Sequence, residues 1–154
     1  MRSQRRRIGD IVKIALGDGT HTYARVLPEA SFAFYDWCGS EDLQMDRIVK
    51  LPISFFVSMV NEGITSGRWL VVGRIPQNDG LKAPPRFIQD ALDKRQFSIY
   101  DGGQIRPATR QECVGLERAA VWQPEHVEER LRDHFAGRKN EIHESLKMKS
   151  FQPN

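Results

Sequence analysis

Short apolar runs separated by turn sequences dominate the first third of the chain. The run from Ile11 to Leu16 is apolar except for Lys13, and the "GDG" that follows contains an Asp-Gly pair, which permits the positive φ of a hairpin turn. The next run, Thr20 to Leu27, alternates two sets of side chains until Pro28, which removes a donor from the strand ladder. These positions predict a β-hairpin.

A third short strand follows in the sequence "SFAFYDW", which is rich in aromatic residues. Strand alternation directs Phe32, Phe34 and Asp36 to one face and Tyr35 and Trp37 to the other. Three strands with such short connections favour a small curled sheet or partial barrel.

The middle of the chain contains two continuous apolar runs, "ISFFVSMV" and "RWLVVGRI", separated by "NEGITSG". This arrangement predicts a long hairpin at the centre of the sheet, with Gly73 marking a bulge or a close backbone approach. Farther along, "RFIQDAL" is interpreted as a short helix or irregular turn. The pieces "FSIY" and "QIRPA" around "DGG" predict a second, smaller hairpin.

The pattern becomes helical after Thr109, which stands three residues before Glu112 at the spacing of a capping box. A clearer helix is predicted from Pro124, because proline is favoured in the first helical position. Its apolar stripe consists of Val127, Leu131 and Phe135. We further expect Glu128 and Arg132 to pair on the outer surface, and Gly137 to end the helix.

Together these elements predict an α+β fold: a strongly bent antiparallel sheet, forming a partial barrel, with C-terminal helices packed on it. The length of 154 residues suits one domain. We expect a flexible basic arm over residues 1–8, a single α+β domain over 9–137, and a marginal helical or frayed tail over 138–154.

Composition and charge restrict the function classes. Hydrophobic residues make up 40% and charged residues 28%, as in a soluble globular protein. The formal net charge is +3, much of it from "RSQRRR" at residues 2–7. These arginines could attract a polyanion, although no aromatic residue is interleaved with them. No apolar run approaches the length of about 20 residues that spans a bilayer. We predict a cytoplasmic protein that is not in a membrane.

The sequence lacks the residue spacings of common catalytic and metal sites. Cys38 and Cys113 stand apart from any CxxC pattern, so we expect two reduced thiols. His126 and His134 are eight positions apart, too far for a shared metal on one helix. There is no GxSxG nucleophile signature and no phosphate-binding glycine loop. We therefore predict no catalytic residue, no metal and no cofactor.

Four segments, in this order, resemble the immunity protein 26 family of bacterial polymorphic toxin systems: "GDIVKIALGDGTHTYARVL", "FAFYD", "GRWLVVGRIP" and "RPATRQECVGLERAAVWQPEHVEERL". The resemblance covers about Gly9 to Leu131. It implies a non-catalytic cytoplasmic protein that binds and neutralises a cognate toxin. The positions that match the family pattern, most of them expected to be structural, are Gly9, Asp10, Tyr35, Asp36, Trp69, Gly73, Glu117, Trp122 and Arg130.

Physical reasoning selects a different set for contact with such a toxin. The loop "GSEDLQMD" contains three carboxylates and no basic residue, and it directly follows an aromatic strand end. An aromatic anchor beside clustered carboxylates could fill a cleft and neutralise the basic groove of a nuclease toxin. The predicted partner-binding residues are Tyr35, Asp36, Trp37, Glu41, Asp42 and Asp46.

Two alternatives remain open at this stage. The arm and the aromatics of the sheet could serve a small nucleic-acid-binding or regulatory module, but the acidic loop would repel phosphate, so nucleic acid is the less favoured partner. An enzyme would require a concave cluster of titratable groups. Neither the oligomeric state nor the activity of the toxin follows from these residues.

Overall fold

A computed structural model describes residues 3–75 and 79–150 of the protein and shows an α+β fold. Its strands are β1 (Asp10–Ala15), β2 (His21–Val26), β3 (Ser31–Tyr35), β4 (Ile53–Met59), β5 (Leu70–Arg74), β6 (Arg86–Gln89), β7 (Phe97–Asp101), β8 (Gln104–Ala108) and β9 (Val121–Trp122). Its helices are α1 (Met45–Ile48), α2 (Glu62–Thr65), α3 (Arg110–Cys113), α4 (Pro124–Phe135) and α5 (Glu141–Ser145).

The larger sheet has six strands in the order β5-β1-β2-β3-β4-β9. All its pairs are antiparallel except β4 with β9, which run parallel. The prediction of a purely antiparallel sheet is therefore wrong: β9 returns after a long connection and joins β4 in the same direction. Within the described residues the sheet does not close into a barrel, because β5 and β9 are its two edges. The partial barrel stays a prediction.

The first predicted hairpin is confirmed. β1 and β2 pair from Ile11 opposite Arg25 to Ala15 opposite His21, and the turn is closed by a hydrogen bond from the Leu16 amide to the Thr20 carbonyl, 3.0 Å. β3 pairs with β2 as a neighbouring antiparallel strand. The hairpin of β7 and β8 is also confirmed.

The predicted central hairpin is wrong. β4 pairs with β3, whereas β5 pairs with β1 on the opposite side of the sheet. α2 lies between them in the chain and carries it across the sheet, so adjacency in sequence does not lead to pairing. The bulge at Gly73 is confirmed: Ile11 lies opposite Gly73 and Val12 opposite Val71. A Cβ at Gly73 would approach the Met45 sulfur to 2.5 Å.

β6, β7 and β8 form a second, three-stranded sheet. The helix or turn predicted for "RFIQDAL" is wrong, because its first four residues are β6. Backbone pairing on both sides explains the extended conformation. One side of β6 pairs with β7, and on the other side Phe87 donates to the Glu117 carbonyl (2.9 Å) and accepts from the Ala119 amide (2.8 Å).

Both faces of the larger sheet are covered, so every residue of β2 is buried. On one face lies the main core, which includes Val12, Ala24, Phe32, Phe34, Phe55, Val57, Trp69, Trp122, Val127 and Leu131. On the other face lies a smaller core built from Ile11, Tyr23, Tyr35 and Ile48. The predicted alternation of β3 is thereby confirmed, since Phe32 and Phe34 face the main core and Tyr35 the smaller one.

The predicted helix starts are confirmed. Thr109 and Glu112 form the complete capping box of α3, and α4 has Pro124 in its first turn. The prediction that Glu128 and Arg132 pair on the outer surface is wrong. Glu128 is only 7% exposed and binds Arg68 and Trp69 instead. The chain just before β5 packs along this side of α4 and takes the carboxylate away from the solvent.

The chain segments at either end are anchored at specific residues. The side-chain amide of Gln4 donates to the carbonyls of Ile64 (2.9 Å) and Trp69 (2.7 Å), and Arg6 donates to the carbonyl of Leu27 (2.8 Å). The described part of the arm therefore makes specific contacts with the domain, and the flexibility of residues 1–8 stays a prediction. In the tail, Asn140 caps α5 by accepting from the His143 amide, 2.9 Å. Residues 1–2 of the arm and 151–154 of the tail lie outside the described residues.

Candidate functional site

The residues selected for partner binding lie at the end of β3, in the loop that follows and in α1. Tyr35 differs from the others because it is buried, with 1% of its surface exposed. Its ring packs in the smaller core with Ile11, Tyr23 and Ile48. Burial raises the pKa of Tyr35, so the phenol is neutral at physiological pH. Tyr35 therefore belongs to the core that underlies the loop and offers no surface to a partner.

Trp37 is half-buried and held by aromatic neighbours. Its ring stacks on Tyr23 at a centroid distance of 5.7 Å and lies 5.6 Å from the ring of His21. Gly39 lies against the face of the indole ring, and a Cβ at this position would come within 2.8 Å of the indole carbon Cζ2. Gly39 also exchanges two backbone hydrogen bonds with His21, of 2.8 and 3.1 Å. The loop thus folds around the indole and fixes its orientation, which lowers the entropy that binding through it would cost.

The carboxylates of the loop are exposed, and two of the three have a basic neighbour from outside the loop segment. Lys13 donates to Asp42 at 2.7 Å, and Arg47 lies 3.7 Å from Glu41. Lys13 was missed because it enters from β1, far away in the sequence. Its hydrogen bond holds the pKa of Asp42 below the usual value.

Asp36 faces the opposite side of β3 from Trp37 and reaches α4. Its carboxylate lies 2.8 Å from Nε2 of His134. Both side chains are partly exposed, 44% for Asp36 and 37% for His134. No local sequence pattern indicates this contact, because the two residues are 98 positions apart.

The name acidic surface is used below for the exposed part of this region. It consists of Trp37, Glu41, Asp42 and Asp46, whereas Asp36 points to the other side of the sheet, toward His134. Its three carboxylates lie near two cations, Lys13 and Arg47, so the region keeps a net negative charge. Cys38 lies in the same loop and is exposed. Burial of its thiol raises the pKa of Cys38, and Asp18 and Asp36 raise it further, so the thiol is protonated at neutral pH.

The remaining positions of the family pattern make structural contacts. Arg130 binds Glu117 through two hydrogen bonds of 3.0 and 2.8 Å. The same guanidinium lies 3.8 Å from the centre of the Phe55 ring and 5.2 Å from that of Trp122. Trp69 is fully buried and donates its indole N–H to Glu128 at 2.8 Å. These residues join α4 to the larger sheet and hold the loops in place.

The residues that the structure describes contain neither a cluster of metal-binding side chains nor a helix that could span a membrane. No three His, Cys, Asp or Glu side chains in ranges 3–75 and 79–150 come together as a metal site would require. No helix in these ranges has both the length and the apolar character needed to cross a bilayer.

Comparison with known proteins gives one family. Neither the curated proteins nor the solved structures include a significant match. The sequence model described as Immunity protein 26 matches residues 7–98, more than half of the chain. The match begins just before β1 and covers β2 to β6 and the acidic surface. It ends before the segment from Arg106 to Leu131 to which the resemblance extended. Because this match covers more than half of the chain, it shows that the chain belongs to the immunity protein 26 family.

Proposed function

We propose that the protein binds and neutralises a cognate toxin of a bacterial polymorphic toxin system, in the cytoplasm and without catalysis of its own. The family match over residues 7–98 carries this proposal, because immunity proteins act as partners of toxins. The fold suits such a role: a sheet with both faces covered is a rigid support for a loop surface.

We propose further that the acidic surface is the toxin-binding site. Trp37 supplies a large side chain whose orientation is already fixed by Tyr23 and His21, and such pre-organised aromatics dominate many interfaces. The surrounding carboxylates would attract a basic groove and accelerate association. A nuclease has such a groove, so nuclease toxins are the class that this surface fits best.

The test of function is co-expression with the toxin domain encoded next to this protein, scored by cell survival and by co-purification. Rescue together with a stable complex supports the proposal. If neither is observed, and the protein instead binds DNA or RNA in a manner that weakens steeply with salt, the nucleic-acid module replaces it.

The test of the surface uses two triple charge reversals. The first combines Glu41→Lys, Asp42→Lys and Asp46→Lys, and the matched control combines Glu62→Lys, Asp101→Lys and Glu129→Lys, which are exposed elsewhere. Both variants change the net charge equally. We expect the first to weaken toxin binding by at least about tenfold and the control to bind like the wild type, as measured by titration calorimetry. Equal affinities would reject the acidic surface and leave the immunity function intact.

A further inference from the structure

A cavity of about 660 Å³ lies between the two sheets and α5, and β4 contributes Ser54, Phe55 and Phe56 to its wall. Its size is in the range of pockets for small ligands. Much of its wall is apolar, formed by Phe55, Phe56, Phe87, Leu116, Leu146 and Met148. None of these residues belongs to the acidic surface.

The charged residues of the cavity are mostly basic. Arg86, Arg118, Arg130 and Lys147 line it, with Glu117 as the carboxylate among the lining residues. Two of these cations have anionic partners, since Arg130 binds Glu117 at 2.8 Å and Lys147 lies 3.1 Å from Glu144. The two other guanidinium groups, of Arg86 and Arg118, decide which ligand the cavity can accept.

Arg86 is a buried cation whose hydrogen bonds go to neutral groups. It is 3% exposed, and it donates to the hydroxyl oxygens of Ser58 and of Ser31, the latter at 3.1 Å. Among the residues that the structure describes, no carboxylate lies within ion-pair distance of it. Burial lowers the pKa of Arg86, and the charge of Glu117 offsets only part of this effect. A desolvated guanidinium of this kind is stabilised by any anion that reaches it.

Arg118 is only partly buried, but its hydrogen bonds also go to neutral groups. Its donors go to the carbonyls of Leu146 (2.7 Å) and Lys147 (3.4 Å) and to the side-chain oxygen of Gln89 (3.1 Å). Its guanidinium lies 4.9 Å from the centre of the Phe87 ring. Burial lowers its pKa as well. Two guanidinium groups whose hydrogen-bond acceptors are neutral thus line the same cavity.

We propose that this cavity binds an amphiphilic anion, a small molecule with an apolar body and one anionic oxygen head group. The body would contact Phe87 and Leu116, and the head group, a carboxylate or a phosphate, would bind Arg118, while Arg86 adds a second positive charge to the cavity. Guanidinium groups bind both kinds of head group through charge-assisted hydrogen bonds. The site is independent of the toxin, and its ligand would stabilise the junction of the two sheets.

The experiment is an NMR titration of the isotope-labelled full-length protein with three probes. These are 3-phenylpropionate, phenyl phosphate and the uncharged 3-phenylpropionamide. We expect saturable shifts of the backbone amides of Phe87 and Leu116, with at least one anion binding about tenfold or more tightly than the amide. The tighter anion identifies the head group. Equal affinities for anion and amide, or no saturable shift with any probe, would overturn the proposal.

Variants separate the cavity from general charge effects. Arg118→Met should weaken binding of the anion about tenfold and leave binding of the amide nearly unchanged, and Leu116→Trp should abolish binding of both by filling the space. Arg74→Met removes the same kind of charge from an exposed position on β5 and should have no effect. Loss of binding in Arg74→Met, or full binding in Leu116→Trp, would assign the shifts to non-specific attraction and contradict the site.

Discussion

Removal of the Glu128 carboxylate is expected to be among the more damaging changes to a polar residue of this protein. Glu128 accepts hydrogen bonds from Arg68 Nε (2.7 Å), Arg68 Nη2 (2.8 Å) and the indole N–H of Trp69 (2.8 Å). Its side chain is 9% exposed, whereas that of Arg68 is 46% exposed. The substitution Glu128→Ala would leave a buried indole N–H without its acceptor and a half-exposed cation without its partner.

The expected loss in free energy of unfolding follows from these two terms. An orphaned buried donor costs about 1–3 kcal/mol. Breaking a fully buried ion pair costs about 3–5 kcal/mol. Because the half-exposed Arg68 side chain can reorient and be hydrated, loss of its ion pair contributes only about 1 kcal/mol here. We therefore expect Glu128→Ala to cost about 2–4 kcal/mol. Glu128→Gln keeps an oxygen acceptor for Trp69 and should cost about 1–2 kcal/mol.

Urea denaturation monitored by tryptophan fluorescence measures this difference, since Trp69 itself reports on the site. The control is Glu129→Ala, one position along α4 and exposed, which should change the free energy by less than about 0.5 kcal/mol. A loss below about 1 kcal/mol for Glu128→Ala, or a loss equal to that of the control, would refute the reasoning.

The pH dependence provides a second check. Burial alone would raise the pKa of Glu128, but the hydrogen bonds from Arg68 and Trp69 outweigh it, and the folded pKa lies below the ordinary value. A carboxyl with a lowered folded pKa stabilises the protein above its unfolded pKa and loses this contribution as the pH falls through the folded pKa. The difference between wild type and Glu128→Gln should thus be complete at pH 7 and smaller at low pH. A difference that grows on acidification would contradict the linkage.

Three further predictions can be measured in the same denaturation experiment. Gly9→Ala and Gly17→Ala both place a side chain at positive φ, but only at Gly9 would the Cβ overlap a backbone carbonyl. Gly9→Ala should therefore lower the free energy of unfolding by about 1–3 kcal/mol more than Gly17→Ala. Equal losses would contradict this prediction. Thr109→Ala removes the cap of α3 and should cost about 1 kcal/mol, whereas Thr109→Ser should be nearly neutral. Gly73→Ala should lower the free energy of unfolding by about 1 kcal/mol or more in the wild type, because the new Cβ would overlap the Met45 side chain. The loss should be smaller in a Met45→Ala background. Equal losses in both backgrounds would exclude this contact.

Signals that act over a few residues were sufficient to predict local structure. The Asp-Gly turn after β1, the capping box at Thr109 and the proline at the start of α4 were all found in the structure where the sequence placed them. Each depends on the conformation or hydrogen bonding of a few neighbouring residues, so no knowledge of the tertiary fold is needed.

Choices between distant partners could not be predicted in this way. The apolar pattern shows that β4 and β5 are strands but does not show that β4 pairs with β9 and β5 with β1. Glu128 looked like a surface residue because its spacing to Arg132 fits a helical ion pair, and Arg68 is 60 positions away. Partner choice of this kind depends on the packed structure and not on local sequence.

In the candidate site, too, local features could be predicted from the sequence and contacts between distant residues could not. Exposure of Glu41, Asp42 and Asp46 follows from the polar loop sequence, and the structure places all three at the surface. Burial of Tyr35 and the approach of Lys13 to Asp42 depend on how the strands stack. The cavity had no sequence signal, because its walls come from both sheets and α5, which are separated along the chain.

The parallel pairing of β9 with β4 means that the part of the chain recognised by the family model is not a unit of folding. Val127 and Leu131 of α4 enter the main core from beyond residue 98, and β9 completes the edge of β4. A fragment ending at residue 98 would leave the Phe55 side of β4 open to water, which favours aggregation and proteolysis. Protein fragments for structural or binding studies should therefore extend at least through α4. Chimeras between family members that exchange only residues 7–98 must also preserve the contacts of α4.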